Sequence, residues 1–217
     1  MIHLYAIAEG LGELSAVEGI DGAQVRTRAL DGLELVVSEH DGAQLDPTEA
    51  AVLAHARVVD ALAVSSSALL PARFTRTFPD EAALDSAVRG RLDDLRQGLS
   101  RVRGQVELGL RVIGESPDKA AEAPSGRAYM QARLDEVART ERLANELHEP
   151  LAALASGSTH SITARPRLLL SAAYLVATAD VERFRDQVAE LEREHPELTF
   201  VCTGPWPAYS FASAAET

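Results

Sequence analysis

Six histidines, one cysteine and a run of three serines are the side chains of this 217-residue chain whose types could do chemistry. The histidines are His3, His40, His55, His148, His160 and His195, and no two lie three or four positions apart. A helical metal site needs that spacing, because only residues one turn apart share a face. The sequence therefore predicts surface or capping histidines and no metal site. His55 and Asp60 are five apart on one expected helix and are not stacked neighbours. Ser65-Ser66-Ser67 has no Gly-x-Ser-x-Gly elbow around it and reads as the end of a helix. Gly10-Leu11-Gly12 follows an expected strand, as a dinucleotide loop does, but Ser15 stands where the third glycine belongs, so no cofactor site is expected. The lone Lys119 lies in a glycine-poor stretch that cannot cradle a phosphate. Cys202 alternates with Leu198 and Phe200 and reads as a small buried hydrophobe. The carboxylates of Asp93, Asp94, Glu190, Glu192 and Glu194 read as solvated helix faces. No catalytic residue is assigned.

The composition narrows the partners. The formal net charge is −12, and acidic residues are spread along the whole chain. Such a chain is repelled on average by nucleic acid and by anionic membranes. No apolar run is long enough to span a bilayer. The N-terminal Met1-Ile2-His3-Leu4-Tyr5-Ala6 lacks the basic region of a secretory signal, so a cytoplasmic location is expected.

The elements that must position these side chains follow from periodicity. Strands are expected at 3–8, 25–30 and 33–38, the last two joined by an Asp31-Gly32 hairpin turn. Asp46-Pro47-Thr48-Glu49 reads as a helix start with Asp46 as cap, Leu45 as its hydrophobic staple, and Val52, Ala56, Val59 and Ala63 as the buried stripe. Residues 69–78 look extended, with Pro71 marking an edge. Pro79-Asp80 opens a helix whose Leu84, Val88, Leu92, Leu95, Leu99 and Val102 recur at helical spacing.

After Gly104 the pattern reads as a strand at 105–113, a loop at 114–125 and a helix at 126–148. The helix is expected to bury Met130, Leu134, Val137, Ala144 and Leu147, with Pro150 kinking or ending it. Two strands follow, at 161–165 and 168–178, then a helix opened by Asp180 and a last strand through Leu198, Phe200 and Cys202. Strand, helix, strand, strand, helix, strand is the ferredoxin-like (βαββαβ) order, with both helices on one face of an antiparallel sheet. The first and third strands are then central. The fold class is therefore α+β in two domains: a mixed N-terminal domain at 1–104 and a ferredoxin-like domain at 105–217.

Two segments invite a partner. Arg73 and Arg76 flank Phe74 between Pro71 and Pro79, which makes them candidates for a protein-binding edge. The C-terminal Gly204-Pro205-Trp206-Pro207-Ala208-Tyr209-Ser210-Phe211 holds the only Trp of the chain. Its two prolines remove backbone donors and should stop an interior strand. Trp206 is expected to pack, and Tyr209 joins the candidate partner-binding residues.

The same segment resembles the Gly-Pro-Trp-Pro-x-Tyr-Ser-Phe ending of the gas vesicle protein family GvpL/GvpF. The likeness extends to Leu4-Tyr5-Ala6-Ile7, to Leu69-Leu70-Pro71-Ala72-Arg73-Phe74, to Gly104, Glu107 and Val112, to Gly126, Tyr129 and Met130, and to Tyr174-Leu175-Val176. Thr75 and Ala208 depart from the family's usual Gly and Pro. The resemblance implies a non-enzymatic accessory protein of gas vesicle assembly, without cofactor, associated with the vesicle. Its implied partners are the small hydrophobic shell protein and other accessory proteins. The rival readings are an enzyme or small-ligand binder on a ferredoxin-like scaffold, and a minor structural component of the vesicle.

Overall fold

The computed structural model describes residues 1–12, 17–42, 45–114, 125–161 and 168–212. Residues 162–165 of the strand expected at 161–165 and most of the loop expected at 114–125 lie outside the described residues, as does the tail from 213. The fold is mixed α+β with antiparallel sheets, and the chain forms two compact units. One contains Met1–Val106 together with the segment from Trp206 onward; the other is Glu107–Pro205.

In the first unit β1 (Ile2–Glu9), β2 (Arg26–Leu30), β3 (Leu33–Glu39) and β4 (Ala68–Pro71) form a sheet in the order β2-β3-β1-β4, with β5 (Thr77–Phe78) also paired to β1. Asp31 and Gly32 both have positive φ, at 50° and 84°, as the tight β2–β3 hairpin requires. The register of β1 on β3 shifts between Leu4 and Ala6, so β1 is bulged at Tyr5. His3 and Tyr5 before the bulge, and Ala6 and Ala8 after it, then share one face with Val36 and Ser38.

That face is covered by α1 (Glu49–Ser65), whose Ala51, Val58, Val59 and Leu62 join Tyr5, Ala6, Ala8, Ile20, Val36 and Leu69 in one cluster. The opposite face carries Arg26 and Arg28, which reach Glu81 and Asp85 of α2 (Glu81–Arg89). The sheet thus lies between α1 and α2, with α3 (Leu92–Val102) following α2. Double coverage explains why β1 is apolar almost throughout.

Three local expectations change. The cap of α1 is Thr48, whose Oγ1 accepts from the Ala51 amide, in place of Asp46. Its buried stripe is Ala51, His55, Val58, Val59 and Leu62, while Val52 and Ala63 are exposed. An alanine-rich helix is apolar nearly all round, so hydrophobicity alone leaves its phase undetermined. The run from Leu84 to Val102 is two helices, broken where the Gly90 amide bonds back to Ser86 O. Its spacing still locates the core, since Leu84, Val88, Leu95, Leu99 and Val102 are buried.

In the second unit β6 (Gln105–Ile113), β7 (Gly157–Ser161), β8 (Leu168–Ala177) and β9 (Thr199–Trp206) are ordered β7-β8-β6-β9, so β6 and β8 are central. α4 (Gly126–Ala152) and α5 (Val181–Glu194) pack on each other and on β8. Leu108, Leu110 and Val112 of β6 and Leu170, Ala172 and Tyr174 of β8 are buried, together with Val181, Phe184, Val188 and Leu191 of α5. Pro150 lies inside α4, which continues to Ala152. β9 runs on through Pro205 to Trp206 as an edge strand, not as the interior strand that the prolines would stop, and there a missing amide donor breaks no ladder bond on its outer side.

Candidate functional site

The turn between β4 and β5 holds three of the four candidate partner-binding residues above a buried pair of imidazoles. His3 points from β1 and His55 from α1, and His3 Nε2 lies 2.9 Å from His55 Nδ1. His55 Nε2 lies 3.0 Å from the Ala72 carbonyl oxygen, which can only accept. His55 therefore donates from Nε2, accepts at Nδ1 from His3 Nε2–H, and leaves His3 Nδ1 with a bare lone pair. Among the described residues no hydrogen-bond partner reaches that Nδ1.

The pair is held neutral. Burial pushes His3 down to about 3, with the His55 and His40 rings adding to the effect. Burial also lowers His55, against the Ala72 carbonyl. The His3 and Tyr5 rings are nearly perpendicular at 4.7 Å between centroids, and the His55 ring stacks on Tyr5 at 5.3 Å. The Tyr5 hydroxyl accepts from the Ile20 amide at 3.1 Å and lies 2.9 Å from Ser38 Oγ, which is 2.7 Å from His40 Nε2.

Backbone bonds fix the turn over this network. The Ala72 amide donates to Tyr5 O, Arg76 N–H to Arg73 O, and Leu4 N–H to Arg76 O. Phe74 is half-buried, with its ring 5.8 Å from His3 and 5.9 Å from His55. Arg73 is exposed. Arg76 is half-buried, its guanidinium 4.9 Å above the Phe78 ring, and burial lowers its pKa, with Arg91 adding repulsion. Tyr209 is half-buried against the same apolar cluster as Phe74, and burial raises its pKa. All four candidates thus belong to the first unit.

The two imidazoles depart from the sequence expectation. His3 and His55 are buried core groups, not surface or capping ones, because a search for helical spacing cannot see a strand residue meeting a helix residue 52 positions away. The signal available was the alternation of His3 with Tyr5 along an apolar strand. His148 is also buried, its Nδ1 2.8 Å from the Tyr174 hydroxyl in the second unit. Trp206, expected to pack, is 49% exposed, while Phe211 is buried beneath the Arg101 guanidinium. Among the described residues no three His, Cys, Asp or Glu side chains are grouped to hold a metal.

Comparison with known proteins decides which context these features belong to. The family model described as gas vesicle synthesis protein GvpL/GvpF matches residues 1–213. The chain belongs to the GvpL/GvpF family. Gas vesicle protein F2 of Halobacterium salinarum is 29% identical over 214 residues, covering 97% of this chain and 91% of that protein. Gas vesicle protein L of a Streptomyces species (strain CB03234) is 29% identical over 234 residues, covering 94% and 82%. Two solved GvpF structures share the fold. That from Anabaena sp. PCC7120 has a TM-score of 0.86 at 18% identity, covering 97% of this chain and 95% of its own. That from Microcystis aeruginosa has 0.78 at 16%, covering 97% and 98%. Membership of GvpL/GvpF gives the protein a role connected with gas vesicles. Among the described residues no helix is long and apolar enough to cross a membrane.

Proposed function

We propose that this protein is a non-enzymatic assembly factor of the gas vesicle, acting in the cytoplasm and on the growing vesicle. It binds the small hydrophobic shell protein before or during incorporation. The observation that carries this reading is the family match across residues 1–213. The physical need is general: a shell that excludes liquid water must present apolar surface to the gas, and that surface aggregates before assembly unless something masks it. Other gas vesicle accessory proteins are further proposed partners.

Two domains carry the function in this reading, the second of them ferredoxin-like. Its support is the element order from β6 to β9 and the strand order β7-β8-β6-β9 with α4 and α5 packed together. Strand addition to an open edge of that sheet is the proposed contact mode. Of the two outer strands, β9 lacks a donor at Pro205, whereas β7 is exposed from Ser158 to Ser161 and contains no proline. β7 is therefore the edge we assign. In the first domain Arg73, Phe74, Arg76 and Tyr209 form the second proposed contact, with Arg73 the solvent-facing member.

Capture of the co-expressed shell protein tests the mode. Thr159→Pro and His160→Pro place a proline at neighbouring β7 positions, one facing β8 and one facing outward. The variant that keeps its circular dichroism is the outward one, and it should capture less shell protein. Undiminished capture by that folded variant would rule out strand addition at β7.

A further inference from the structure

α4 is 27 residues long, yet its buried side chains begin only at Ala144. From Ser125 to Arg142, about 25 Å of helix, no described side chain is buried. This half nevertheless carries an apolar stripe: Met130 and Leu134 are each 60% exposed and Val137 43%, with Tyr129 beside them. At 100° per residue the stripe is continuous with Ala144, His148 and Leu151, which are buried. One helix face is thus seated in its own unit along its C-terminal half and bare along its N-terminal half. The spacing 130, 134, 137, 141, 144 alternates four and three, the pattern of a face that meets another helix.

The ends of the bare stripe are charged with opposite sign. Arg127 lies at its N-terminal end and Glu141 at its C-terminal end, both within about 60° of Met130 around the helix. Parallel pairing of two such faces would set Arg127 against Arg127 and Glu141 against Glu141. Antiparallel pairing about Leu134 sets each Arg127 beside the Glu141 of the other copy, with the two Leu134 side chains opposite each other at the centre and Met130 beside the other copy's Val137. A face that complements itself only after a twofold rotation is the signature of an isologous contact.

The charge context points the same way. Residues 125–142 carry four arginines against three carboxylates, in a chain with 21 basic and 33 acidic side chains. Elsewhere an acidic copy repels another; here it does not.

We propose that this protein forms an antiparallel homodimer through the N-terminal half of α4, with Met130, Leu134 and Val137 as its apolar seam and reciprocal Arg127–Glu141 pairs at its ends. The seam is short and falls below the ~800 Å² per partner of a standard interface, so the dimer is weak and reversible.

Sedimentation equilibrium from about 10 μM to about 1 mM should show concentration-dependent dimerisation. Leu134→Glu should weaken it about tenfold or more without altering circular dichroism, since the side chain touches no core. Arg127→Glu and Glu141→Arg should each weaken self-association. An equimolar mixture of these two single variants should recover a hetero-pair, and the double variant should recover the homodimer. A wild-type protein that stays monomeric over this range overturns the proposal. So does a dimer indifferent to Leu134→Glu, and charge variants that fail to rescue one another overturn the antiparallel arrangement.

Discussion

His3→Gln removes one of the two imidazoles buried between β1, α1 and the Ala72–Arg76 turn while keeping an N–H near the place of Nε2. The wild-type ring is held neutral with its pKa lowered to about 3, chiefly by burial. In the unfolded chain it protonates at its ordinary value near 6.5. A folded value below the unfolded one means that the unfolded state binds the extra proton. The stability from this group is therefore complete above pH 6.5 and is lost as pH falls toward 3. Over the full span this amounts to about 5 kcal/mol at most, and between pH 6.5 and 5.0 to about 2 kcal/mol. The glutamine cannot titrate, so its loss over that interval should be smaller by about 1–2 kcal/mol. Urea unfolding followed by circular dichroism at pH 7.0, 6.0 and 5.0 gives the comparison. His40, His55 and His148, all lowered by burial, titrate in both proteins and largely cancel. Equal losses in the two proteins, or a His3 imidazole resonance titrating near 6.5, would refute the buried neutral pair.

Gly19→Ala would place a Cβ 2.5 Å from the Tyr5 hydroxyl and 2.9 Å from Ala23 O, so thermal unfolding should show a destabilisation of about 1–3 kcal/mol. Thr48→Ala removes the α1 cap, and the same assay should register a loss of about 1 kcal/mol. Tyr174→Phe strips His148 Nδ1 of its partner in a buried site and should cost about 1–3 kcal/mol by urea unfolding, with the His148 resonances moving in the NMR spectrum.

Local chemistry with one solution was legible in the sequence. Asp31-Gly32 fixed a hairpin, Asp80 capped α2 through the Ala83 amide, and the spacing from Leu84 to Val102 located a core even across a helix break. The phase of α1 was not legible, because Ala and Val surround the helix and only the sheet above it selects a face. Nor was the bare half of α4: Met130, Leu134 and Val137 have the periodicity of buried residues, and periodicity records a face without saying what covers it. At the C-terminal segment the largest ring was expected to pack, but Phe211 is buried while Trp206 is half-exposed. The His3–His55 contact joins a strand residue and a helix residue 52 positions apart, and no short-range pattern encodes it.

The reading of this protein as a carrier of shell subunits meets its most direct test when the shell protein is expressed alone and together with it, and the soluble fraction is passed over the tagged chain. Shell protein should be insoluble alone, soluble in company, and co-eluting in a defined complex. Shell protein that stays equally insoluble with the tagged chain present, and absent from its eluate, would contradict that reading.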